Sequence, residues 1–172
     1  MAVSSAKRVS AKAVSANAVA NEFLKLAKKD GKQLTNLQLQ KLVYIAQGYT
    51  LAITNKKLYY NDTCAWHWGP VIPSLYEALR RYGRKYVIEK LELDNQDESL
   101  DNTVAIDIIE AVYKRYGNYT GPQLVNLTNR PNTPWSETWE EEKFSLIPFS
   151  RIQDYYKRTL KNKKEAYLQG RR

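Results

Sequence analysis

The amino-acid sequence predicts a mainly α fold, a single compact helical domain of six or seven helices with a small two-stranded β-ribbon. Three observations carry this. Thr35-x-x-Gln38, Thr120-x-x-Gln123 and Ser150-x-x-Gln153 each precede an apolar helical run. Each has the form of a capping box, in which the hydroxyl accepts an amide inside the helix and the Gln side chain reaches back. Apolar residues elsewhere recur mostly at helical spacing. With 172 residues, 43% hydrophobic and 26% charged, the chain is long enough to bury a core and most simply forms one domain.

Residues 1–13, rich in Ala, Ser and Lys, read as a basic N-terminal arm, residues 14–160 as the helical domain, and residues 161–172 as a basic C-terminal tail. From Val14 to Lys29 the apolar positions Val19, Ala20, Phe23, Leu24 and Ala27 oppose Asn17, Asn21, Lys25 and Lys28, and Asp30-Gly31 ends that helix. Thr35 opens the central helix, whose stripe is Leu39, Leu42, Val43, Ala46, Tyr49 and Ile53. Tyr44 and Ile45 widen the stripe beyond one face, as expected of a helix in the middle of a domain. Leu58-Tyr59-Tyr60, an Asn61-Asp62 turn and Thr63 to Trp66 read as the two-stranded ribbon. A hairpin is marginal alone, so it must rest on the helices.

After a Gly69-Pro70 turn, Pro73 suits the first position of a short helix reaching Tyr82 and stopped by Gly83. Residues 92–99 form an acidic loop, in which Asp94, Asp97 and Glu98 lack calcium-loop spacing. Leu100 to Tyr116 is amphipathic, with Asp101 at its start and Lys114-Arg115 at its end matching the helix dipole. Thr133-Pro134 starts a short helix bearing Trp135 and Trp139 on one side. The last helix runs into Lys157, Arg158, Lys161, Lys163 and Lys164, too charged to be buried.

Catalytic chemistry finds little support. The chain has one cysteine, Cys64, and one histidine, His67, which excludes an intrachain disulfide and a structural Cys/His zinc site. Cys64 reads as a small buried hydrophobe. Asp107 with Glu110, and the run Glu140 to Glu142, occupy solvated-face positions rather than the desolvated ones that acid–base work requires. The expectation is a protein without enzymatic activity, cofactor or metal. No apolar run approaches 18 residues, so no membrane partner is expected, and a cytoplasmic location follows by default.

Binding fits better. Interface anchors favour Trp, Tyr and Arg, and Trp66, Trp68, Pro70, Tyr76, Arg80 and Arg81 form the candidate partner-binding set. The same Trp-x-Trp-Gly-Pro corner is equally suited to a structural role in the core. The net charge of +9 is uneven: residues 1–57 hold ten basic and two acidic side chains, residues 58–149 nine and fourteen, and residues 150–172 eight and two. Such basic ends leave nucleic acid open as a partner through phosphate contacts. Sequence-specific reading is disfavoured. The Thr35 helix superficially resembles the second helix of a helix-turn-helix, but it carries a residue set for burial.

Two blocks point to a family. One is Thr35-Asn36-Leu37-Gln38-Leu39-Gln40-Lys41-Leu42-Val43-Tyr44-Ile45-Ala46-Gln47-Gly48. The other joins Ala65 and Trp66 to Gly69-Pro70-Val71, Pro73, Leu75 and Tyr76. With weaker echoes at Tyr116-Gly117, Leu124, Leu127-Thr128 and Pro134-Trp135, they resemble the SocA-like Panacea antitoxin domain from roughly Ala18 to Tyr156. The resemblance implies an antitoxin that neutralises a protein toxin or host-defence effector by direct binding, in bacteria or in phages and prophages. It also implies an alternative, a proteolytic adaptor that delivers the bound partner to a protease.

Overall fold

The computed structural model describes residues 12–93 and 100–170. Residues 1–11 of the N-terminal arm, most of the acidic loop with Asp94, Asp97 and Glu98, and the last two residues lie outside them. Among the described residues are seven α-helices: α1 (Ala16–Lys29), α2 (Asn36–Thr54), α3 (Pro73–Leu79), α4 (Thr103–Tyr116), α5 (Gly121–Thr128), α6 (Pro134–Glu141) and α7 (Phe149–Gln169). Two small antiparallel sheets accompany them. β1 (Leu34–Thr35) pairs with β4 (Tyr86–Val87), and β2 (Cys64–Trp66) pairs with β3 (Gly69–Val71). The mainly α expectation holds.

Every side of α2 is covered, because α1, α3, α4, α5 and α7 all pack against it. Each residue from Leu39 to Leu51 is buried, while Ile53, assigned to the same stripe from its spacing, is exposed near the helix end. Gly48 sets the α2–α7 approach. A Cβ there would lie 2.2 Å from the Tyr156 ring, so only glycine lets the two helices close around Tyr44, Tyr49 and Tyr156.

A buried helix surrounded by segments without regular structure must satisfy their backbone groups. Here side-chain amides do so. Gln47 accepts from the Leu58 and Tyr59 amides at 2.6 and 3.3 Å and donates to the Tyr59 carbonyl at 2.9 Å. Gln40 accepts from the Ile72 amide at 3.0 Å and donates to the Ile72 carbonyl. Asn21 pairs with both backbone groups of Leu91. Asn21 was expected on the polar face of its helix. It is buried because it replaces a neighbouring strand for Leu91.

Three local expectations are corrected. The ribbon lies one segment later than expected: Cys64–Trp66 pairs with Gly69–Val71 across a His67-Trp68 turn, whereas Leu58–Tyr60 is taken by Val14 instead. Pro70 is tolerated opposite Ala65 because Ala65 directs its own amide and carbonyl the other way, to Ser145 and Phe144. The third capping box is Thr133 with Ser136, not Ser150 with Gln153. α7 starts at Phe149 from the extended backbone of Pro148, and Gln153 instead donates to Leu51 and Asn55 across the helix interface. Last, α4 begins at Thr103 under the Asn102 side chain rather than at Leu100. α7 itself continues to Gln169, and residues 161–170 are all exposed.

Candidate functional site

Trp66 and Gly69 close the β2–β3 hairpin and leave His67 and Trp68 at its tip. Gly69 has φ +109°, a backbone conformation that side-chain-bearing residues rarely adopt, and a Cβ there would meet the Asn129 side chain at 2.4 Å. The hairpin is therefore held tightly against α2 and α5 on one side. On the other side, Phe144, Ser145 and Ile147 continue the sheet through bonds to Ala65 and Thr63.

Aromatic side chains gather on this frame. The Trp66 ring meets Tyr76 edge-on at 5.2 Å. Trp135 Nε1 donates to the Trp66 carbonyl at 2.7 Å and stacks on Trp139 at 5.6 Å. Trp139 in turn meets His67 and Phe144. Trp68 is 67% exposed and Phe144 is 62% exposed, so the cluster ends in two large rings open to solvent. Exposed aromatics anchored at one end suit a protein interface, because little side-chain freedom remains to be lost on binding.

Beside the hairpin lies a groove of about 630 Å³ lined by Leu37, Lys41, Trp66, Trp68, Tyr76 and Arg84, among others. Three of the sequence-predicted residues, Trp66, Trp68 and Tyr76, are thus brought together. Pro70 is buried behind them in β3. Arg80 and Arg81 do not line the groove. They are exposed, near Glu77 and Glu89 respectively. Arg84 occupies the rim instead. A larger groove of about 830 Å³ follows α1 and is bounded by Leu93 and Leu100, on either side of the residues outside the description.

The sequence reading missed Lys41, Trp135, Trp139 and Phe144. Trp135 and Trp139 were visible as a pair on one helix side, yet nothing in their spacing relates them to a hairpin 69 residues away. Lys41 sits inside an apolar helix, and that placement was its signal. It is 0% exposed, and its Nζ donates to the Pro70 carbonyl at 2.9 Å. Burial pushes its pKa from 10.5 down to about 7.

Nothing in this arrangement resembles an activated nucleophile. Cys64 is half-buried, and burial together with Asp62 raises its pKa, which keeps the thiol protonated. Asp107 and Glu110 are exposed. Among the described residues no three His, Cys, Asp or Glu side chains come together to hold a metal ion. None of the described helices is long and apolar enough to cross a membrane.

The family model described as "Antitoxin SocA-like, Panacea domain" matches residues 39–136, a span containing Lys41, the hairpin, Tyr76 and Arg84. The chain is 33% identical over 129 residues to Antitoxin SocA of Caulobacter vibrioides (strain NA1000 / CB15N), covering 71% of this chain and 69% of that protein. No solved structure matches.

Proposed function

Because the chain belongs to the antitoxin SocA-like, Panacea-domain family, we propose that it neutralises a protein toxin or defence effector by direct binding, without catalysis. The hairpin tip and the groove beside it form the contact surface. The observation that carries this reading is the solvent-exposed Trp68, held on a rigid hairpin beside Trp66, Tyr76 and Phe144. Well-packed hairpin backbone with an exposed indole is the arrangement expected of an interface anchor. The same packing also relates the two family blocks to each other. Gln40 and Lys41 of the first block tie down the hairpin that carries the second.

The test is capture of partners by the tagged protein from its native host, under nuclease and moderate salt, followed by co-expression. A captured protein that is toxic alone and harmless with this chain supports the proposal. Trp68→Ala should then abolish rescue while leaving the helical circular dichroism signal unchanged. If every partner disappears with nuclease or salt, the basic α7 extension and a nucleic-acid role replace this reading.

A further inference from the structure

The second half of α7 leaves the core and carries charge mostly of one sign. Ile152 and Tyr156 are buried and Leu160 packs against the core, whereas every residue from 161 to 170 is exposed. Lys157, Arg158, Lys161, Lys163 and Lys164 lie in this half against the single acid Glu165. Lys157, Lys161 and Lys164 follow at i, i+4 and i+7, which places them on one helix face with successive Cβ atoms about 5–6 Å apart. None of the five cations enters an ion pair among the described residues.

The positive surface continues onto the body. Lys163 Nζ donates to the Tyr49 hydroxyl at 2.8 Å and lies 6.0 Å from the centre of the Tyr116 ring. The exposed Arg115 guanidinium, at the end of α4, lies 5.4 Å from the centre of the same ring. Two cations from different helices therefore flank one phenol where the extension meets the body.

This surface suits a polyanion better than any other occupant. Like charges at i, i+3 and i+4 oppose the helix that carries them, and an anionic partner along the face removes that repulsion. Protein interfaces are depleted in lysine, so an acidic protein lacks the apolar anchors it would need here. A membrane surface requires a free apolar helix face, and that of α7 is covered through Ile152, Tyr156 and Leu160. A second copy would bring the same charge. Single-stranded nucleic acid is held by aromatic rings between the cations, and the lysine row contains none. A duplex presents one negative charge per about 1.7 Å of its axis.

We infer that the lysine face of α7 binds the phosphate backbone of a nucleic-acid duplex without reading its sequence. This does not rest on the toxin-binding reading, because none of these residues lines the groove beside the hairpin.

The experiment titrates the full chain into short fluorescein-labelled DNA and RNA duplexes and follows anisotropy. Micromolar binding of at least one duplex type is expected at low salt, equal for two unrelated sequences within about threefold. Three phosphate contacts give a slope of log K against log salt near −3, or about fortyfold weaker binding between 50 and 200 mM. The triple variant Lys157→Gln, Lys161→Gln, Lys164→Gln should bind at least about tenfold more weakly and lose most of that slope. A control with the same charge change, Lys28→Gln, Lys29→Gln, Lys56→Gln, neutralises exposed lysines of α1 and the segment after α2 and should keep the slope.

Both variants should retain the helical circular dichroism signal of the parent. Failure of the wild-type chain to bind either duplex at low salt, or binding insensitive to salt, overturns the inference. Equal losses in the two triple variants do so as well, because net charge rather than the α7 face would then be responsible. A preference well above threefold between the two sequences would overturn backbone-only contact. No toxin enters the assay, so each of these failures leaves the toxin-binding reading standing.

Discussion

Two buried polar side chains lie six positions apart on α2 and perform related tasks by opposite means. Gln47 is 0% exposed and satisfies two amides and one carbonyl of the Leu58-Tyr59 segment. Lys41 is equally buried and satisfies one carbonyl of β3. A neutral amide can mimic a neighbouring strand, with its nitrogen and its oxygen both hydrogen-bonded. An ammonium cannot, because its charge stays uncompensated in a dry site. The contrast separates a neutral fastening from one that leaves an ionisable amine in a dry site. Where the fold alone is at stake, the buried polar group is neutral and fully paired. At Lys41 it is an amine with one hydrogen bond, which burial pushes toward its neutral form.

The largest effect should come from the fastening. Gln47→Leu leaves the Leu58 and Tyr59 backbone groups buried without partners, at about 1–3 kcal/mol for each orphaned group. We expect a loss of at least about 3 kcal/mol, read as a lower urea midpoint at unchanged slope. A variant as stable as wild type would break the comparison at its firmer end. Gly48→Ala should follow, costing about 1–3 kcal/mol by overpacking against Tyr156. Thermal unfolding checks this, and the loss should be smaller if Tyr156 is also replaced by a smaller residue.

Lys41→Met sharpens the other end through its pH dependence. Burial holds the folded-state pKa near 7, below the 10.5 of the unfolded chain. Between those values the unfolded state binds a proton that the folded state lacks, so this group makes stability rise with pH across the window and leaves it flat below pH 7. The stability of wild type relative to Lys41→Met should therefore improve from pH 7 to 10. Denaturant titrations that give a pH-independent difference would show that the amine is not held neutral by burial. Above pH 10 the buried phenols of Tyr44 and Tyr156 act in the opposite direction. Burial raises their pKa, so folding opposes their ionisation.

The smallest stability effect belongs to the surface anchor. Trp68→Ala should change unfolding free energy by less than about 0.5 kcal/mol, as for exposed positions generally, while removing rescue in the co-expression assay. A variant that unfolds instead would move Trp68 from the interface to the core.

The sequence by itself determined the helical class, because capping and periodicity act within a few residues. Thr35 and Thr120 close their boxes with Gln38 and Gln123, and the apolar residues Leu39 to Tyr49 place α2 at the centre. Part of the site was legible for the same reason. Trp66, Trp68 and Tyr76 are close in the chain, joined by a turn and a helix start. Tertiary structure decided the rest. Whether Leu58–Tyr60 or Gly69–Val71 pairs with Cys64–Trp66 depends on Val14 and Ser145, which are distant in sequence and compete for the same backbone groups. Trp135, Trp139 and Phe144 reach the hairpin only through folding of the second half of the chain. Lys41 was only half legible, because its place inside an apolar run signals burial while its bond to Pro70 and its lowered pKa depend on β3 covering it, and desolvation is a property of the surroundings rather than of the residue.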